Sequence, residues 1–226
     1  MPEPAGSPAG PGVPLLVLGS SSPARAMLLR NAGVAAIVLP SRVDEEALIA
    51  ELGHAERGAH HLTQRLARAK AMDVADLVRA GSLGDRVDGR RVIVVGADSL
   101  LDVEGRVLGK AGSPDEVRAR WATMAGRTGV LVTGHTVVDV GSGRVEEATC
   151  STEVRFGRPD AVELEAYIAS GEPLSVAGSC TIDGLGGAFI DGIDGDHTNV
   201  IGLALPTLRA LLAALGVRWT ELWQRA

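Results

Sequence analysis

Residues 15–33 read LLVLGSSSPARAMLLRNAG, and the reading of this stretch decides the fold. Leu15 to Leu18 form an apolar run of strand length, broken by Gly19. Ser22 suits a helix N-cap and Pro23 the first helical position. Met27 and Leu28 continue a short helix, and Gly33 stands where its terminating residue belongs. A buried strand that turns at once into a helix is a building unit of α/β architecture. The bend presents backbone N–H groups and serine hydroxyls at a helix N-terminus, which favours anions such as phosphate. Arg25 adds a fixed positive charge one turn in. The same residues would also serve simply to start a helix.

Further strands and helices follow. Val34 to Leu39 reads as a second strand, ended by Pro40. Asp44, Glu45 and Glu46 open a short helix, where carboxylates complement the helix dipole; they could equally supply a metal ligand. Residues 59–80 carry Leu62, Leu66, Ala69, Val74 and Leu77 at helical spacing, which puts Lys70 on a flank of the buried face. His60 and His61 are adjacent, so they do not share a helical face as a metal pair would.

Val92 to Val95 is a β-branched run suited to a strand buried on both faces. It leads into Gly96-Ala97-Asp98-Ser99, which predicts Asp98 at the carboxyl end of a central strand, where open α/β sheets bind ligands. Leu100 to Leu108 reads as a hairpin turning at Glu104-Gly105 and delivers Gly109-Lys110. Ser113-Pro114-Asp115-Glu116 opens a helix through Met124, with Trp121 and Met124 turned to the core. Val130–Val140 and Val145–Phe156 form a long hairpin whose second strand alternates apolar and polar residues. His135, on this hairpin, reads as structural. Pro159 starts a helix stopped by Gly171. The glycine-rich residues 177–202 predict short strands and loops that close over a site, and Leu205 to Leu215 is the last helix.

Composition narrows the classes. With 226 residues and 46% hydrophobic content, the chain can bury a substantial core. Residues 1–13, rich in Pro, Gly and Ala, predict a disordered tail, and residues 14–226 a single domain. A net charge of −6 argues against a nonspecific nucleic-acid binder. No apolar run approaches the roughly 18–20 residues of a membrane span, and the N-terminus lacks the features of a signal peptide. A soluble cytoplasmic protein is expected. Cys150 and Cys180 match no metal spacing or disulfide framework and read as small core residues. Of 22 basic residues only two are lysine, Lys70 and Lys110. Lysine is expected where a compact ammonium is wanted, for instance against phosphate.

With these pieces in order, the chain resembles the Maf family of nucleoside triphosphate pyrophosphatases from about residue 14 to 216. The motifs that carry the resemblance are GSSSPARAMLLRNAGV, the acidic VDEE, LARAKA, VVGADS, LGKAGSPDEV, the TGH of the hairpin, and AYIASGEPLSVAG with the glycine-rich segment after it. The resemblance implies an ITPase-like α/β fold: an elongated mixed β-sheet flanked by helices, with two lobes around a central cleft. It implies hydrolysis of a nucleoside triphosphate to the monophosphate and pyrophosphate with a divalent cation, Mg²⁺ or Mn²⁺, clearing non-standard or excess nucleotides. Asp98 corresponds to the proton acceptor. Arg25, Lys70 and Lys110, with Ser20 and Ser22 of the bend, correspond to the phosphate-binding side, and Glu45 and Asp98 to metal ligands. No nucleic acid or membrane partner is implied, and the long hairpin offers a surface for a homodimer.

Three departures bear on the base. Ala24 stands where many members have an arginine. Ser99 follows the catalytic acid where threonine or glutamine is usual, and Asp183 replaces a glutamine or glutamate. These look like specificity positions, so neither the branch preferring dTTP and UTP nor the one preferring 7-methyl-GTP is a close guide. Asp183 is an acceptor suited to the N–H groups of guanine or cytosine. A competing expectation is a nucleotide-binding regulator of septum formation with little hydrolysis. A P-loop kinase is excluded, because no G-x-x-x-x-G-K-[ST] occurs.

Overall fold

The computed structural model describes residues 12–51 and 58–224. The expected tail therefore lies, up to residue 11, outside the described residues. The opening strand and helix form as their residues dictate: β1 is Leu15–Leu18 and α1 is Pro23–Asn31. The Ser22 hydroxyl accepts the Arg25 backbone N–H at 3.4 Å, and Gly33 closes the helix at φ 76°. Leu28 and Leu29 turn inward, while Met27 stays on the surface. Then come β2 (Ala36–Val38), α2 (Glu45–Glu51), α3 (Ala59–Arg79), β3 (Val92–Val103) and β4 (Arg106–Leu108). The remaining elements are α4 (Pro114–Met124), β5 (Thr128–Asp139), β6 (Val145–Phe156), α5 (Ala161–Ala169), β7 (Ile190–Asp194), α6 (His197–Ile201) and α7 (Leu205–Ala214).

Among the described residues seven strands form one mixed sheet in the order β2-β1-β3-β5-β6-β7, with β4 paired to β3. β1 lies parallel to β2 and to β3, and every other pairing is antiparallel. This is the α/β mixed sheet flanked by helices that the sequence predicted. The three 12-residue strands β3, β5 and β6 run the length of the molecule and pass through two separate cores. At one end Leu16, Leu29, Ile93 and Leu208 pack on one face, and Val17, Val74 and Val94 pack under α3 on the other. At the far end Trp121 meets Phe156, Tyr167 and Phe189 edge-on, with ring centroids 5.9–6.3 Å apart, and Leu101 and Met124 complete the cluster. The cleft opens between these two ends.

Several expectations are corrected. Asp98 is not at the end of its strand but at its middle, because β3 continues to Val103. Only the parallel pairing stops early: β1 leaves β3 at the Leu18–Val95 pair, and β4 does not take up that edge until Leu101. Lys70 lies in the centre of the buried stripe of α3, with Leu66, Ala67, Ala71 and Val74, rather than on its flank. Cys150 and Cys180 are free thiols and part-buried; Cys180 packs against the far-end core as expected, whereas Cys150 belongs to no core cluster among the described residues. Asp160, not Pro159, starts α5: its carboxylate accepts the Val162 and Glu163 N–H groups at 2.8 and 2.9 Å. Among the described residues no helix is long and apolar enough to cross a membrane.

Candidate active site

Two glycines let α3 settle onto the sheet. A Cβ on Gly96 would lie 2.3 Å from the Ala67 carbonyl oxygen and 2.7 Å from the Ala71 nitrogen. One on Gly134 would lie 2.4 Å from the Thr63 carbonyl. Only glycine permits so close an approach. Side chains two apart on a strand share a face, so Asp98 points to the same side as Gly96, toward α3. Directly across the ladder it pairs with Gly134. On α3, Lys70 lies between Ala67 and Ala71. The meeting of Lys70 and Asp98 is thus fixed by backbone packing.

The Lys70 ammonium lies 2.6 Å from Asp98 Oδ1 and 2.7 Å from Glu45 Oε1. The Lys70 and Asp98 side chains are 9% and 11% exposed, against 49% for Glu45. One cation thus joins a buried carboxylate to one that reaches solvent. Burial pushes the Asp98 carboxyl above the usual carboxylate range; Lys70 and Arg25 oppose the rise and Glu45 adds to it. Glu45 starts α2, and the segment before that helix is tied to α3 by Asp73. The Asp73 carboxylate accepts the Arg42 backbone N–H at 2.8 Å and the guanidinium at 2.5 Å. Sequence reading passed over this pair; the signal available was an acid on α3 three residues beyond Lys70.

Arg25 is buried across the cleft floor. It donates from Nε to the Gly202 carbonyl at 2.6 Å, from Nη1 to Ser20 Oγ at 3.0 Å and from Nη2 to Ser99 Oγ at 2.9 Å. Three of its five N–H groups are so used, leaving two for a ligand. Burial lowers its pKa, with Asp98 and Glu45 opposing, and a guanidinium remains charged regardless. Ser20 Oγ also accepts the Ser22 N–H at 3.2 Å. The Ser20 and Ser22 hydroxyls accept in these bonds and keep their own protons to donate, whereas the Ser99 hydroxyl donates to the Gly202 carbonyl at 3.5 Å. Ser99 Oγ lies 2.9 Å from Thr133 Oγ1 as well, so Ser99 belongs to a fixed network.

Together these residues line one cleft of about 750 Å³, within the range of small-molecule sites. Ser20, Ser22, Ala24, Arg25, Glu45, Lys70, Asp98, Ser99 and Lys110 all border it. Its lining is charged or polar at all of these but Ala24, and apolar at Leu131, Val176, Ala177, Val200 and Ile201, with Cys180 and Thr181. Burial pushes the Cys180 thiol up to about 12, so it stays protonated. Asp183 is not part of the cleft wall; it is exposed and accepts a hydrogen bond from the Thr181 hydroxyl. His135 is fully buried, and its Nε2 accepts the Ala204 N–H at 2.9 Å, which makes it structural as expected. His60 and His61 lie at the surface.

The donor set can be tested against a divalent cation. Glu45 and Asp98 bring carboxylate oxygens to a single ammonium, and no group of three or more His, Cys, Asp or Glu among the described residues could hold a metal ion. Two carboxylates without a nitrogen or sulfur ligand suit a hard cation whose shell is completed by phosphate oxygens and water. The residues therefore fit Mg²⁺ or Mn²⁺ and do not fit a closed structural zinc site.

The family described as Maf-like protein matches residues 15–215. This chain belongs to that family. Relatives of this Maf-like chain include a protein of Streptomyces coelicolor, 52% identical over 93% of this chain and 95% of its own length. One from Rhodococcus jostii is 48% identical over 92% of this chain and 95% of its own. A third, from Mycobacterium sp. strain JLS, is 46% identical over 93% and 98%. Each bears the name nucleoside triphosphate pyrophosphatase. Among solved structures, lipoprotein GNA1162 from Neisseria meningitidis covers 71% of the Maf-like chain and 91% of its own at 14% identity, with a TM-score of 0.22. That likeness is too slight to bear on the fold.

Proposed function

We propose that this chain hydrolyses nucleoside triphosphates to the nucleoside monophosphate and pyrophosphate. The observation that carries the reading is the Lys70 ammonium held between Asp98 and Glu45 in a cleft that Arg25 and Lys110 also border and that apolar side chains line in part. The charged groups take the triphosphate and the apolar lining takes the base. Residues 14–226 act as one domain, since three strands cross both cores.

Asp98 accepts a proton from the attacking water as its oxygen bonds to the α-phosphorus. The bond from that phosphorus to the bridging oxygen breaks, and pyrophosphate leaves with the electron pair. Lys70 and Lys110 stabilise charge on the phosphoryl oxygens and the departing group, with the two uncommitted N–H groups of Arg25 and the hydroxyls of Ser20 and Ser22. Holding the chain of phosphates in line supplies the positioning that such a reaction needs. Glu45 and Asp98 would hold a divalent cation, which when bound neutralises phosphate charge and acidifies a water. Lys70 holds both carboxylates in place, and its charge opposes the rise that burial gives Asp98. Ala24 leaves room beside the bend, and Asp183 acts on the base through Thr181 rather than directly.

A pyrophosphate-release screen across common and modified nucleoside triphosphates, with Mg²⁺ and Mn²⁺ in parallel, tests the reading. Turnover of at least one triphosphate is expected. Tight binding of a nonhydrolysable triphosphate with no turnover of any natural one would replace it with the nucleotide-binding regulator. A cytoplasmic enzyme acting on free nucleotides is the setting in which this activity belongs.

A further inference from the structure

Lys110 is placed quite differently from Lys70. It is exposed and makes no ion pair among the described residues. Its segment, residues 109–113, has no helix or strand, and only Ala111 in it is buried. Regular packing does not fix where this ammonium stands, so something else must.

That something is a buried side chain on α4. The Arg120 guanidinium donates from Nη1 to the Gly109 carbonyl at 2.6 Å and from Nη2 to the Lys110 carbonyl at 2.9 Å. It also reaches Ser179 Oγ at 3.3 Å and Glu116 Oε1 at 2.5 Å. The second oxygen of Glu116 accepts the Gly112 N–H at 2.7 Å. Two side chains one helical turn apart thus hold three of the residues around Lys110 by their backbone. They also join this wall to the glycine-rich wall, where Trp121 Nε1 donates to the Ser179 carbonyl at 3.1 Å and the Gly178 N–H reaches the Gly109 carbonyl at 3.0 Å. Arg120 also borders a cavity of about 500 Å³, together with Glu116, Arg106 and Leu108. An ordinary i,i+4 ion pair on a helix needs only Glu116. The two loop carbonyls are extra partners, and a planar guanidinium is suited to span them.

We propose that Arg120 is the positioning residue for Lys110: a buried guanidinium that holds the Lys110 backbone against the cleft and couples it to the glycine-rich wall at Ser179. This inference rests on the reading of Lys110 as a triphosphate ligand. Arg120 touches no substrate and acts through Lys110.

The test is a double-mutant cycle in the full chain, with Arg120→Gln, Lys110→Ala and both together, read as kcat/KM for pyrophosphate release. Amide hydrogen exchange is measured alongside. Arg120→Gln is expected to lower kcat/KM about tenfold. The double variant should be little worse than Lys110→Ala alone, because coupled residues are not additive. Exchange should speed at least tenfold at residues 109–112 and not in α3. Arg120→Lys, which keeps the charge but cannot span two carbonyls, should fall between Arg120→Gln and the parent; it also serves if the glutamine variant fails to fold. Losses that add in full, or an Arg120→Gln protein within twofold of the parent, would overturn the assignment. If the parent releases no pyrophosphate, the reading of the site fails first. If the parent is active and Lys110→Ala is harmless, the role given to Lys110 fails and Arg120 has nothing to position.

Discussion

The two lysines border the same cleft and are held by opposite means. Lys70 projects from the middle of a 21-residue helix seated on glycines, and its ammonium is shared by two carboxylates. Lys110 projects from an irregular segment tied down by side-chain hydrogen bonds. A charge placed by backbone packing cannot move without unseating a helix. A charge placed by a tethered loop can move by the breaking of a few hydrogen bonds. The first arrangement suits a group that must be preorganised for chemistry, and the second suits one that must let phosphates in and out.

This contrast can be broken at several points. Asp98→Asn should have the largest effect, lowering turnover at least ~100-fold in a pyrophosphate-release assay, as loss of a general base requires; near-normal activity would remove Asp98 from its role. The packed wall also predicts a pH dependence of stability. Burial pushes the His135 imidazole down to about 4, while in the unfolded chain it takes a proton near ~6.5. Protons therefore favour the unfolded state between these values. The His135 contribution is fully present above the unfolded value and is lost as pH falls toward 4, by up to about 3 kcal/mol. Urea titrations of the parent and His135→Gln between pH 7.5 and 4 should show the variant losing less; parallel curves would refute it.

Gly96→Ala probes the same wall without touching a charge. Its Cβ meets the Ala67 carbonyl at 2.3 Å, so α3 must lift from β3, at a cost of about 1–3 kcal/mol in overpacking. Stability and turnover should fall together, because Lys70 moves with its helix. Lys110→Ala gives the smallest change in the molecule and the sharpest contrast. It should lower kcat/KM about tenfold, roughly the ~1.4 kcal/mol of a modest charged contact. Its thermal midpoint should stay within about a degree, since an exposed unpaired side chain supports nothing. A variant that melts early would place Lys110 in the packed wall after all.

The packed wall was largely legible. Ser22-Pro23 announces α1, the VIVV run announces a central strand, and the period of residues 59–80 announces α3, each by local chemistry. What escaped was non-local. Nothing in the VVGADS stretch signals that β1 departs after Val95 while β5 continues, so Asp98 was placed at a strand end. Counting only apolar residues puts the buried face of α3 beside Lys70, because a charged side chain carries no sign that ion pairing will bury it. Its partners, Asp98 and Glu45, are 28 residues ahead and 25 behind. The tethered wall was hardly legible at all. Glu116 was read as an acid at a helix start, and the carbonyls that Arg120 holds carry no mark in the sequence. Asp183 was assigned to the cleft by resemblance, yet its carboxylate meets the Thr181 hydroxyl outside it.

The gap that β1 leaves in the edge of β3 has a consequence for self-association. Between Val95 and Leu101 the strand has no neighbouring strand on that side among the described residues, and a bare strand edge invites another chain to pair with it. Here the invitation is short. β1 closes it at one end and β4 at the other, so an incoming strand would have to bend in and out within a few residues. The bare stretch of edge is thus too short and too hemmed in to seed an aggregate.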